Sequence, residues 1–289
     1  MKKKTWSFGR TLVTFTPALI MITLNIIVSV ILVFGCAIVM GMKGMPFTQE
    51  ALMEFVMPYA IYGTFVFQLI GLIIFGLWFK LWGRNKFVNP VKAVKPSAVL
   101  VALLAAVIME LLISVGMAIV SVIAPEIIEN FNNMMEQAGV AEMTFVSFVA
   151  TVFLAPIGEE LVFRGVTVRL GKWAGLPFCA INIIQAVLFG VFHLNLVQGV
   201  YAFFIGLVLG YLGHRYKTLW VPILMHFFCN LYATLMGMVE ISSTLGNNLI
   251  MAGIALILMG IMFVIMKGEK LQVAETSESV EPEKIAESI

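Results

Sequence analysis

Apolar runs about as long as a bilayer is thick recur through the chain, near residues 14–40, 58–79, 98–123, 144–168, 177–194, 198–213, 219–238 and 248–266. A hydrocarbon core of about 30 Å takes about 20 helical residues to cross. Backbone groups in lipid must pair internally, which selects helices from runs of this length. Composition agrees: 61% of the 289 residues are hydrophobic, 12% are charged, and the mean hydropathy is +1.02. A soluble domain carries roughly a quarter charged residues. The expected architecture is therefore an all-α, polytopic membrane protein of about eight transmembrane helices over residues 1–266. A polar, acidic tail, "GEKLQVAETSESVEPEKIAESI", ends the chain and reads as disordered from about residue 267 to 289.

Charge placement orients the eight spans. With the N-terminus in the cytoplasm, Lys2, Lys3, Lys4, Arg10, Lys80, Arg84, Lys86, Lys92, Lys95, Arg169, Lys172, Arg215, Lys217, Lys267, Lys270 and Lys284 fall inside, and Arg164 lies at the inner end of span four. Of eighteen basic residues only Lys43 falls outside. The long outer loop holds Glu126, Glu129, Glu136 and Glu142. The positive-inside rule predicts this asymmetry for eight helices with both termini cytoplasmic. The first run is longer than a secretory signal and lacks a small-x-small cleavage site, so it reads as a retained span. Cys36, Cys179 and Cys229 sit in apolar runs at no metal-ligand spacing and read as packing residues. No interleaving of basic and aromatic residues points to nucleic acid.

The informative residues are the polar ones inside the spans. There is no aspartate among the sixteen acidic residues, and only Glu110, Glu159 and Glu160 fall within spans. His193 and His226, two of three histidines, join them. An ionisable group near the bilayer centre costs about 2.5–3.5 kcal/mol on insertion scales, so it faces the bundle interior and has a function. In "PIGEELVFRG", Glu160 and Arg164 are four residues apart and share a face, so they can pair. Glu159 points about 100° away and is left free for proton chemistry. His226 and Asn230 share a face of "MHFFCN" and can both donate hydrogen bonds. His193 closes "FGVFH", with Phe189 one turn beneath it. A base and several donors on three helices are what water attack on an amide requires. Glu110 reads as an interhelical hydrogen-bond partner or as a lesser member of the pocket. His214 reads as a solvated residue of a basic loop. The glycines of "GLVLG" fit close helix packing.

At these residues the chain resembles the CAAX-protease and bacteriocin-processing membrane proteins, or intramembrane glutamic endopeptidases. The family's three motifs appear in order as "EELVFRG" (Glu159 to Gly165), "FGVFH" (Phe189 to His193) and "HFFCN" (His226 to Asn230), within residues 144–238. The resemblance implies that Glu159, assisted by His193, activates a water for attack on a peptide bond. It implies that His226 and Asn230 stabilise the oxyanion, and that Glu160, Arg164 and Phe189 hold the site's shape. No cofactor is needed by that mechanism. Zinc is the alternative, although no HExxH motif is present. The implied partner is a peptide or membrane-protein substrate in a bacterial plasma membrane. Rival readings are a non-catalytic scaffold or bacteriocin-immunity and signalling protein, and a proton-relay transporter. The transporter reading lacks the internal repeat it calls for.

Depth sets a test for the shared site. At about 1.5 Å per residue, Glu159 lies about 15 Å from the inner end of span four and His226 about 10 Å from that of span seven. His193 comes out at about 24 Å in span five. If these boundaries hold, span five must start deeper or tilt, with "GKWAGLP" as a re-entrant start.

Overall fold

The computed structural model describes residues 6–81, 94–137, 144–236 and 244–278. Lys2, Lys3, Lys4, Arg84, Lys86, Lys92, Lys284, Glu142 and tail residues 279–289 lie outside the described residues. The described chain is helical: α1 Phe8–Met42, α2 Gln49–Leu81, α3 Pro96–Ile123, α4 Pro125–Gln137, α5 Phe145–Trp173, α6 Phe178–Phe192, α7 Leu196–Tyr216, α8 Trp220–Met236 and α9 Leu245–Glu278. Each expected span has an apolar helix in its place. Six of these are long and apolar enough to cross a membrane. The other two, α6 and α8, have 15 and 17 residues, about 22 and 25 Å of helix. They fall short of a full hydrocarbon core.

Two segments differ from the sequence reading. The outer loop contains α4, whose Ile127, Phe131 and Met134 recur at helical spacing among Glu and Asn. The tail is helical as far as Glu278. The anchor is Glu269, which accepts hydrogen bonds from Ser97 Oγ at 2.6 Å and Tyr216 Oη at 2.7 Å, and pairs with Arg215 Nη2 at 3.3 Å. A carboxylate with three donors from α3 and α7 ties α9 to the bundle at Glu269, where a solvated tail was expected.

Helix α5 is the centre. Its Val162, Phe163, Val166 and Leu170 are buried with Phe67 and Phe75 of α2, Phe189 of α6 and Met225 of α8. Elsewhere α6 packs along α7, α8 and α9 along α3, and α1 along α2. Within α5 the ladder is irregular: Val149–Leu154 and Leu161–Thr167 are π-helical, and the α-helical turn Ala155–Glu160 between them carries the glutamates. Such widened turns are rare in helices and concentrate at functional sites.

The turn after α5 resolves the depth conflict. Leu176 N–H donates to Gly171 O and Gly175 N–H to Lys172 O, with Gly175 at φ +84°. This is a Schellman cap, and the left-handed residue it demands is why glycine stands there. Pro177 then starts α6 at once. "GKWAGLP" is thus a tight reversal and not a re-entrant segment. The boundary in error was that of span four, which runs to Trp173 and not 168. Counted from the shared turn, Glu159 and His193 both lie about 21–23 Å in.

Candidate active site

Glu160 is fully buried and accepts from Arg164 Nη1 at 2.6 Å, as the four-residue spacing predicts. The same Glu160 Oε1 lies 3.0 Å from His226 Nδ1. His226 presents its other nitrogen, Nε2, to Glu159 Oε2 at 3.7 Å. One imidazole therefore stands between two adjacent carboxylates, and all four side chains are buried. The arrangement satisfies the basic requirement for placing charge in a poorly solvated interior, which is that each ion meets an opposite charge or a hydrogen bond.

Phe189 organises the rest. Its ring packs edge-on to His193 (5.0 Å between centroids) and to His226 (5.5 Å), and Arg164 lies over it at 4.5 Å. The ring face favours the guanidinium. His193, at the end of α6, holds Phe189 O with Nδ1 at 2.8 Å. A carbonyl only accepts, so Nδ1 carries the proton and Nε2 is the nitrogen left for other work. Glu159 and His226 are close enough to act on His193 electrostatically. Asn230 is only partly buried, and its Nδ2 donates to Thr151 O, in the first π-helical stretch of α5, at 2.7 Å. One of its two N–H groups remains for a ligand.

Depth falls into line for α8 as well. Thr218 and Leu219, just before it, are buried, and Leu219 shares a small cavity with Arg164 and Val168. His226, six residues into the helix, reaches the level of the glutamates, which it contacts directly.

Several contributors were not singled out from sequence. Gln68 of α2 is buried and its amide donates to Glu159 Oε1 at 3.4 Å. Gly158 leaves room for it, since a Cβ there would come within 3.2 Å of Gln68 Oε1. Gly206 is more than a packing residue: its carbonyl accepts from Arg164 Nη2 at 3.2 Å and from Gln185 Nε2 at 2.9 Å. In the sequence Gln68 stands as an amide alone in an apolar run, and Gln185 as one of two, three residues after Asn182. Glu110 of α3 is near enough to Cys229 and to His226 to act on both electrostatically. Cys229 is buried in the hydrophobic core and Cys36 is buried as well, whereas Cys179 is exposed. His214 stacks on Phe178 at 3.8 Å between ring centroids. Among the described residues, no three His, Cys, Asp or Glu side chains are gathered as a metal site.

Residues 141–232 match the family model described as type II CAAX prenyl endopeptidase, Rce1-like. The motif-bearing segment is Rce1-like. The match takes in α5 to α8 up to Tyr232 and so includes every motif residue above. Over that segment the chain is similar to the CAAX-type endopeptidases, and its several helices apolar enough to cross a bilayer point to a multi-pass membrane protein. No curated protein matches the chain, and no solved structure does.

Proposed function

We propose that the protein is an intramembrane endopeptidase that hydrolyses a peptide bond of a membrane-associated polypeptide through water activated by Glu159. The observation that carries this is the unequal treatment of two neighbouring carboxylates. Glu160 is neutralised by Arg164 at 2.6 Å, whereas Glu159, among the described residues, has the Gln68 amide at 3.4 Å and faces His226 at 3.7 Å. That last separation is beyond a direct hydrogen bond.

In this reading Glu159 takes a proton from the water as its oxygen attacks the carbonyl carbon, then delivers the proton to the leaving amine. His193, its Nδ1–H held by Phe189 O, helps position the water through Nε2. The second N–H of Asn230 and the His226 imidazole stabilise the oxyanion. Glu160 orients His226 through Nδ1, as a second carboxylate orients an imidazole in other hydrolytic sites. No metal enters the mechanism, since the Arg164 guanidinium already occupies Glu160 and repels a further cation. Lys80 of α2, Arg169 and Lys172 of α5 and Arg215 of α7 lie at the cytoplasmic ends of their helices, with both termini on that side and α6 and α8 completing eight helices in a bacterial plasma membrane.

The test is Glu159→Gln in protein reconstituted into liposomes, assayed by mass spectrometry against a peptide library. Removing a general base lowers turnover by about 10²–10⁴-fold. Unchanged cleavage by a folded variant excludes Glu159 as the base. A second reading, a non-catalytic scaffold, draws support from the internal partners of Glu160, Arg164, His226 and Asn230. It predicts no turnover by either protein and a shared phenotype in cells.

A further inference from the structure

A second feature lies on the far side of Arg164 from the glutamates. A cavity of about 40 Å3 opens where α5 and α7 end and α8 begins. Arg164 and Lys172 of α5, Phe178 of α6, His214 of α7, and Lys217 and Thr218 of the connecting turn line it. Among the described residues no acidic side chain does. Lys172 and Lys217 are near enough to repel each other, and both act on His214. Stacking on Phe178 limits the freedom of the His214 ring to turn away from them. Lys217 adopts a left-handed conformation, φ +52°, which a side chain with a Cβ takes up at a cost. His214 and Lys217 are exposed at the mouth, while Thr218 and Arg164 are buried deeper in. Arg164 spends Nη1 on Glu160 and Nη2 on Gly206, and its buried Nε has no hydrogen-bond partner.

Three cations and an imidazole around a void with room for about three waters are a site for an anion. We propose that this cavity binds the phosphate of an anionic membrane phospholipid. Position decides the class of ligand. The cavity mouth is at the ends of membrane-crossing helices, the depth at which headgroup phosphates lie, and basic pockets between helix ends capture such headgroups. Bound there, the phosphate ties the ends of α5 and α7 to the start of α8 and meets the same guanidinium that neutralises Glu160. The inference rests on the membrane-spanning fold and not on proteolysis.

Delipidated protein in detergent is titrated with short-chain phosphatidylglycerol, phosphatidylcholine and inorganic phosphate, and binding is read by native mass spectrometry and by thermal shift. Phosphatidylglycerol is expected to bind, to raise the melting temperature by several degrees, and to outcompete phosphatidylcholine. The double variant Lys172→Gln/Lys217→Gln is expected to lose at least tenfold in that affinity. A control of equal charge change elsewhere, Lys43→Gln/Lys95→Gln, keeps it. Should the double variant not fold, Lys217→Gln, altered at the exposed mouth, serves in its place. Equal affinity of variant and parent overturns the proposal. So does displacement of the lipid by inorganic phosphate at the same concentration, which means a free-anion site. Displacement by a peptide with a free C-terminal carboxylate, but not by its amide, means a peptide site and also overturns it.

Discussion

Helices α1 and α5 are both long enough to cross a membrane, yet they meet opposite surroundings. In α5, 44% of the most apolar window is buried inside the protein, against 6% in α1. Their mean hydropathies run the other way, 1.7 and 2.7. The more apolar helix is the more exposed, and α9 repeats the pattern at 2.8 and 6%. Where lipid is the solvent, apolar surface gains nothing by leaving it, so hydrophobicity alone does not draw a helix inward: α3 matches α9 at 2.8, yet 39% of its window is buried. The least greasy of the long helices is the one around which the others assemble.

This contrast is most vulnerable at Arg164. Replacing it with Met leaves Glu160 buried with only His226 beside it, and should destabilise the protein by about 3–5 kcal/mol, measured by thermal or denaturant unfolding in detergent. Adding Glu160→Gln to that variant should recover much of the loss, because the two groups are one unit. Simple additivity would show that they are not coupled. A smaller effect is expected at Phe189. Phe189→Leu keeps an apolar core residue but removes the edge contacts to His193 and His226 and the face under Arg164, at about 1–3 kcal/mol. The variant should also lose turnover beyond what its stability explains.

Gln68→Leu tests whether a polar contact can matter for chemistry while mattering little for folding. An interhelical hydrogen bond in a membrane averages about 0.6 kcal/mol, so unfolding should barely change while turnover falls. A stability loss of several kcal/mol would make Gln68 a structural residue. The smallest effect belongs to the periphery. Phe34 of α1 is 67% exposed, and Phe34→Leu should stay within about 0.5 kcal/mol of the parent. A larger loss would mean that this face is covered by protein, a second copy of the chain being the simplest cover.

Much of this was legible before any coordinates. The Glu160–Arg164 pair followed from spacing, since contacts four residues apart are made by one helix alone. The placement of Asn230 and His226 on one face followed for the same reason. What lay beyond reach were the relations between helices. Spacing could not say that His226 would stand nearer the glutamates than its assignment as an oxyanion donor suggested, nor that Asn230 would be tied to Thr151. The two π-helical stretches of α5 leave no pattern in composition. Gln68 and Gln185 leave little mark in the sequence because an amide carries no charge, although each is buried and bonded.

The sequence by itself determined that the chain is a set of membrane-grade helices and which few polar side chains its interior must hold. Both follow from the cost of transferring a residue into hydrocarbon, which each segment meets on its own. Tertiary structure alone decided the depth and rotation of those helices. It set how deep the short helices α6 and α8 sit against α5. Through the missing Cβ of Gly206 it let Arg164 approach α7. Depth and rotation are properties of packed pairs, and no single segment carries the information that sets them.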